Sequence, residues 1–385
     1  MTRCTTILAP INTGILIEEQ PTKYSQKCFE KPLLINRNSF LNNLKTQEHQ
    51  VFSVVYSTSN VLVSLYLFLN FITMKKVQIL NTDLEVSPIN LGGNVFGWTL
   101  DEQKSFEILD AFYEASFNFI DTANTYPWWV NGTGGLSEAI IGKWMKVRGN
   151  RDKIVLATKV GSETKEHGFD ISKAYILKSA NESLQRLQTD HIDLYYTHFD
   201  DEKTPVEETL SAYNELVKAG KVRYIAASNV SPERLTKSFD VAEKEGFPKY
   251  VALQPHYNLI EREKYEIQYK PLVEKYNLSV FPYWSLASEF LTGKYRSEAD
   301  LNKSVRGGGA KQYLNEKGLK VLNALDKVSI KHNTTPATVA LAWLLAQPHI
   351  GAPIVSATNK SQLNTIIAAP ELHLDSKDLV LLNIQ

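Results

Sequence analysis

Asp121, Tyr126, Lys159 and His198 bring a carboxylate, a phenol, an amine and an imidazole to the ends of three successive apolar segments. These segments read FIDTANTY, LATKVG and DLYYTHFDD. Such groups shift one another's pKa when brought together and so can move protons. Each residue alone has a bland reading: a lysine at a strand end can serve a structural ion pair, and a lone histidine there is usually a packed core residue. Four at consecutive segment ends make a candidate site for acid–base work.

Something must hold these ends together. Short apolar, β-branched runs at Pro88–Gly92, Phe117–Thr122, Lys153–Gly161, Ile192–His198, Val222–Ser228, Tyr250–Pro255, Leu278–Trp284 and Ala352–Ala357 read as strands. Between them, Thr99–Ser116, Ser137–Arg148, Lys173–Leu187, Pro205–Ala219 and Pro232–Glu245 read as amphipathic helices. Ser172 and Ser231-Pro232 are helix starts, and Lys218-Ala219-Gly220 is a stop. Strands such as IVLATKVG are apolar throughout, which suits a parallel sheet covered on both faces. Eight of them with crossover helices predict an α/β (β/α)₈ TIM barrel, whose reactive groups belong at the C-terminal strand ends.

The 385 residues carry 42 Lys+Arg against 42 Asp+Glu, so there is no basic surface for nucleic acid or an anionic membrane. Both cysteines, Cys4 and Cys28, precede the barrel, which therefore folds without disulfides or a cysteine metal site. The histidines show no metal-ligand spacing. Residues 1–73 form a poorly structured extension, read as disordered or as an upstream mis-assigned start, because MKKVQIL at Met74 resembles a natural beginning. Within it, residues 51–73 lack charge and are long enough to span a bilayer, although Ser57–Asn60 interrupt the apolarity. The competing reading is a membrane anchor; the primary expectation is a cytoplasmic protein with a barrel over residues 74–385.

The segments FIDTANTY, LATKVG, DLYYTHFDD, GKVRYIAASN, ALQPHYNLIER and PYWSLASEFLTGKYR, with the helix GWTLDEQKSFEILDAFYEAS, together resemble the aldo-keto reductases over residues 76–385. The likeness is strongest to the bacterial oxidoreductase branch, which includes potassium-channel β subunits. It implies a catalytic tetrad of Asp121, Tyr126, Lys159 and His198. Reduction of a carbonyl by hydride needs a proton donor where negative charge develops on oxygen. Tyr126 would be that donor. A free phenol titrates at about 10, and the Lys159 ammonium, kept charged by Asp121, is expected to lower it by about 1.4 kcal/mol per unit. His198 would orient the carbonyl.

No GxGxxG is present, since Gly92-Gly93-Asn94-Val95-Phe96-Gly97 has the wrong spacing for a Rossmann site. The resemblance instead implies a nicotinamide dinucleotide stretched across the barrel mouth. Gly93, Asn94 and Asp121 would lie beneath it; Ser228, Asn229 and Gln254 would hold the carboxamide, and Trp284 would stack on the ring. Ser285, Leu286, Ser288, Gly293 and Lys294 would wrap the pyrophosphate. Thr358, Lys360 and Gln362 would complete a 2′-phosphate clamp, a thin one, because Thr358 replaces the usual Arg or Ser and Thr365-Ile366 the usual Glu-Asn. NADP is the expected cofactor and NAD the second candidate. Glu289 stands where a Gly is usual, adding a negative charge near the phosphates.

The insert PWWVNGTGG puts Trp128 and Trp129 beside Tyr126, with Phe199, His256 and Tyr257 as further candidates for the substrate pocket. Arg306-Gly307-Gly308-Gly309 reads as a loop near the cofactor or as a plain connector. The expected activity is NAD(P)H-dependent reduction of an aldehyde, ketone or open-chain sugar. The alternative is a dinucleotide-binding regulatory subunit with little turnover.

Overall fold

The computed structural model describes residues 75–384. The expected extension and its membrane candidate lie outside the described residues. Among the described residues, no helix is long and apolar enough to cross a membrane.

The eight predicted strands all form, each trimmed to the residues that ladder. They are β1 (Asn90–Gly92), β2 (Phe119–Asp121), β3 (Val155–Val160), β4 (Ile192–Thr197), β5 (Val222–Ser228), β6 (Tyr250–Gln254), β7 (Ser279–Val280) and β8 (Ile354–Val355). They pair in parallel in the order β8-β1-β2-β3-β4-β5-β6-β7. The remaining seam closes where Gly351 N donates to Val280 O (3.0 Å) and Ile354 N to Pro282 O (2.9 Å). Closure removes the sheet edges, and helices cover the outside, as a (β/α)₈ barrel requires.

The helices follow their sequence signals closely. Lys173–Leu187 and Pro232–Glu245 form with the predicted bounds, their first turns capped by Ser172 and Ser231. The helix Val206–Lys218 ends at Ala219, and Gly220 follows at φ 69°. A hydroxyl at the cap satisfies an amide that the helix cannot.

A short hairpin, Val77–Gln78 against Glu85–Val86, was not legible from strand periodicity, because each strand is only two residues long. It closes the bottom of the barrel. Ile79, Leu84 and Val86 join Phe119, Val155, Leu194, Tyr196 and Phe281 in one buried cluster that fills the interior. Residues of opposite parity, such as Ile120, Leu156, Tyr195 and Ile225, join the larger cluster beneath the helices. The strand period of two thus sorts each residue to the inside or the outside.

Candidate active site

Parity delivers three of the four candidate residues to one place. Asp121 follows the inward Phe119, Lys159 follows Val155 and Ala157, and Tyr196 precedes His198. In register, Asp121 lies opposite Ala157, and Lys159 opposite Tyr196. The outward neighbour Thr158 donates to the buried Glu138 (2.6 Å), which also accepts from Arg186 (2.7 Å). That link pins the rotation of β3 and therefore the direction of Lys159.

Lys159 is fully buried, and its Nζ donates to Asp121 Oδ2 at 2.5 Å and to Thr122 O at 2.7 Å. Gln254 Nε2 donates to the other oxygen, Asp121 Oδ1, at 3.1 Å. Burial pushes the Asp121 carboxyl above its ordinary value, while the charge and hydrogen bond of Lys159 pull it down. Pairing and hydrogen bonding are what let two charges persist in such a place.

Tyr126 sits over this pair, with Lys159 Nζ 4.9 Å from its ring centroid. Here one expectation is corrected. The phenol is shifted up, not down: burial is the largest cause, and the Asp121 charge adds to it against the pull of Lys159 and Arg306. The reason is that the ammonium is not a bare charge. Asp121 cancels much of its field, and desolvation then dominates. Tyr126 is thereby held protonated at neutral pH, ready to donate. His198 is 7% exposed, and burial followed by the Lys159 charge holds it well below its ordinary value, so it is a neutral imidazole. Its Nδ1 has no partner among the described residues, and its ring lies 5.7 Å from that of Tyr126.

A groove leads away from this centre. It is lined by Asp121, Tyr126, Asn94 and Gln254, then Tyr283, Trp284, Ser285, Leu286, Ser288, Glu289 and Arg306. Asn94 Oδ1 accepts from Ser356 Oγ (2.7 Å), whereas Gly93 is packed under Ser137, whose Oγ donates to Gly93 O (2.8 Å). Ser228 and Asn229 are held among themselves: Asn229 Nδ2 donates to Ser228 Oγ (3.0 Å) and to His198 O (2.9 Å). Two residues here were not singled out from the sequence as groove residues. Tyr283 donates its hydroxyl to Asn229 Oδ1 (3.0 Å) and stacks on His256, while the neighbouring Trp284 is 48% exposed. Arg306 reaches the groove from a distant loop, lies over the Trp98 ring, and keeps a buried Nη2 without a partner.

Gly293 and Lys294 follow the groove residues in the loop after β7, and Lys294 pairs with Glu289. Thr358, Lys360 and Gln362 form a separate cluster at the start of helix Lys360–Ile367. Thr358 donates through N (2.8 Å) and Oγ1 (2.9 Å) to Gln362 Oε1, and the charge of Lys360 acts on Asp110. None of the three lines the groove beside Tyr126.

The predicted substrate residues gather on the other side of Tyr126. Trp129 is 41% exposed, 6.1 Å from Tyr126 and edge-on to Trp98 at 5.4 Å, with Trp128 at 6.4 Å. Phe199 packs on His198 and Phe169. Tyr257 is a correction: it is buried beneath the surface with its hydroxyl on Glu266 (2.9 Å), and its ring packs on Tyr265 and Trp343. Its strand parity turns it outward, so it belongs to the helical layer.

Backbone geometry holds the tryptophan insert in place. Asn131 Oδ1 accepts from Gly134 N (2.7 Å), and Gly134 has φ +89°. A Cβ there would lie 2.5 Å from the Thr125 backbone. Gly134→Ala is therefore expected to cost about 2 kcal/mol of stability and to depress turnover through Tyr126. Urea unfolding with a parallel rate assay checks this; an unchanged midpoint would show that the loop yields freely.

The sequence model of the Aldo/keto reductase family matches residues 88–383. Among curated relatives, an uncharacterised oxidoreductase of Bacillus subtilis is 37% identical over 312 residues, covering 78% of this chain and 93% of its own length. The aryl-alcohol dehydrogenase [NADP(+)] of Phanerodontia chrysosporium is 31% identical, covering 78% and 82%. A probable voltage-gated potassium channel subunit beta of Oryza sativa subsp. japonica is 31% identical, covering 73% and 86%.

Proposed function

The chain belongs to the aldo/keto reductase family, and on that premise we propose that it reduces a carbonyl compound to an alcohol, with NADP as cofactor and Tyr126 as proton donor. The observation that carries the reading is the buried Asp121–Lys159 pair beneath a protonated Tyr126 at the head of a groove. Bound in that groove, the reduced nicotinamide would supply the hydride. The residues fit such a ligand: Gln254 and the Tyr283 ring lie near the inner end, and the partnerless Nη2 of Arg306 suits an anionic group farther out. Tyr283 is the better placed of the two neighbouring aromatics to face the ring, since Trp284 is half exposed.

Within the protein, Tyr126 holds the transferable proton on its hydroxyl. Lys159 offsets charge as that proton leaves, and Asp121 keeps Lys159 aimed. His198, neutral, offers one N–H to the carbonyl oxygen and so orients it. A cytoplasmic location goes with this reading.

The aromatic wall of Trp98, Trp129 and Phe199 favours a flat apolar substituent on the carbonyl carbon. A relative named for aryl alcohols points the same way. Trp129→Ala is expected to raise KM about tenfold for an aryl aldehyde and less than about twofold for a short aliphatic one. Equal effects on both would place Trp129 outside the pocket. The primary test is oxidation of NADPH and of NADH against a panel of carbonyls. Tight dinucleotide binding without turnover on any of them would favour the regulatory reading, which the rice relative keeps in view.

A further inference from the structure

The loop after β7 carries an acid that nothing in the hydride-transfer chemistry uses. Glu289 lines the same groove as Tyr126, Ser288 and Arg306. Its Oε2 pairs with Lys294 Nζ and accepts from Ser304 Oγ (2.9 Å), and Tyr295 OH approaches at 3.4 Å. Its Oε1 lies 3.7 Å from Arg306 Nε. One carboxylate thus engages both cations that the groove would present to a phosphate. The Arg306 guanidinium is only half employed, because its buried Nη2 remains without a partner.

We infer that Glu289 is a built-in competitor for the phosphate groups of the dinucleotide, holding Lys294 and Arg306 until the pyrophosphate displaces its carboxylate. Carboxylate and phosphate oxygens satisfy the same ammonium and guanidinium donors, and the doubly charged pyrophosphate satisfies them better. The backbone around Glu289 is arranged for release. Ala287, Ser288 and Glu289 stand in succession at φ 48°, 52° and 68°, a left-handed conformation that L-residues with a Cβ disfavour. The contacts of the Glu289 side chain help hold the loop in that shape, and letting them go relieves it. With 25% of its side chain exposed, Glu289 has a path out to water. The inference rests on the reading that this groove takes a nicotinamide dinucleotide.

The test is calorimetric titration of NADPH, and separately of inorganic pyrophosphate, into wild type, Glu289→Gln and Glu289→Gly. Glu289→Gln removes the charge and keeps the shape; Glu289→Gly also removes the left-handed penalty. Both variants should bind NADPH about tenfold more tightly than wild type, the worth of one negative charge at a few ångströms in a partly solvated site. Pyrophosphate should gain in parallel. Melting temperatures should stay close to wild type, because partly exposed pairs contribute little to stability. Measurable wild-type binding that is unchanged or weakened in both variants overturns the inference, since Glu289 would then be ordering the cations for the ligand. If neither wild type nor the variants bind NADPH, the reading of the groove fails and takes this inference with it.

Discussion

Tyr126→Phe is expected to lower kcat for carbonyl reduction by about 10³-fold while leaving the dinucleotide Kd within about threefold of wild type. The substitution removes one hydroxyl from a ring that keeps its packing on Trp129 and His198. The buried Asp121–Lys159 pair beneath it is untouched. What disappears is the only proton donor facing the groove that is held protonated at neutral pH, because His198 is held neutral and its proton is bound far more tightly than an imidazolium's. The expected signature is loss in kcat with little change in KM. Steady-state rates with NADPH, together with calorimetric binding, supply both numbers. A variant that turns over within a few-fold of wild type would move the proton source elsewhere.

Lys159→Met is expected to do two separable things. It should abolish most turnover, and it should destabilise the fold by about 3–5 kcal/mol, because it leaves Asp121 charged, buried and stripped of its counter-ion. Gln254 alone offers Asp121 one neutral hydrogen bond, too little to hold a carboxylate in a dry barrel. The double variant Asp121→Asn/Lys159→Met should recover most of the lost stability while remaining inactive, since a neutral pair of similar volume no longer needs a counter-charge. Chemical denaturation of the two variants beside wild type separates the effects. If the single variant is as stable as wild type, the pair is not the buried ionic contact described above.

Much of this architecture was legible because strands alternate and helices announce their ends. Asp121, Lys159 and His198 fall on the inward parity of β2, β3 and β4, so their types and spacing were enough to bring them to one barrel mouth. Ser172 and Ser231 marked their helices to the residue. The hairpin that closes the barrel base was illegible, since two-residue strands carry no period. Tyr257 was misplaced among pocket candidates because β6 ends at Gln254, and beyond that point the strand's parity no longer predicts direction. Arg306 was ambiguous for a different reason. It reaches the groove through a long excursion after β7, and no local pattern records where such a loop returns.

The sign of the Tyr126 shift was also beyond the sequence. Lys159 beside a phenol argues for a lowered pKa, but the outcome depends on how completely Asp121 cancels the ammonium and how dry the ring is. Both are tertiary quantities. The consequence is a proton donor that stays loaded across the neutral range and must be discharged by the reaction itself.

The pH profile of kcat/KM for carbonyl reduction, measured on wild type and on the residual activity of Tyr126→Phe, tests this most directly. A donor acts only while it holds its proton. With the folded pKa of Tyr126 raised above the ordinary phenol value of about 10, the rate should be level through neutral pH and fall only as pH climbs past the phenol's titration. Tyr126→Phe should lose that alkaline limb altogether. A limb in the imidazole range, or an alkaline limb that survives Tyr126→Phe unchanged, would contradict the assignment of Tyr126 as the proton donor.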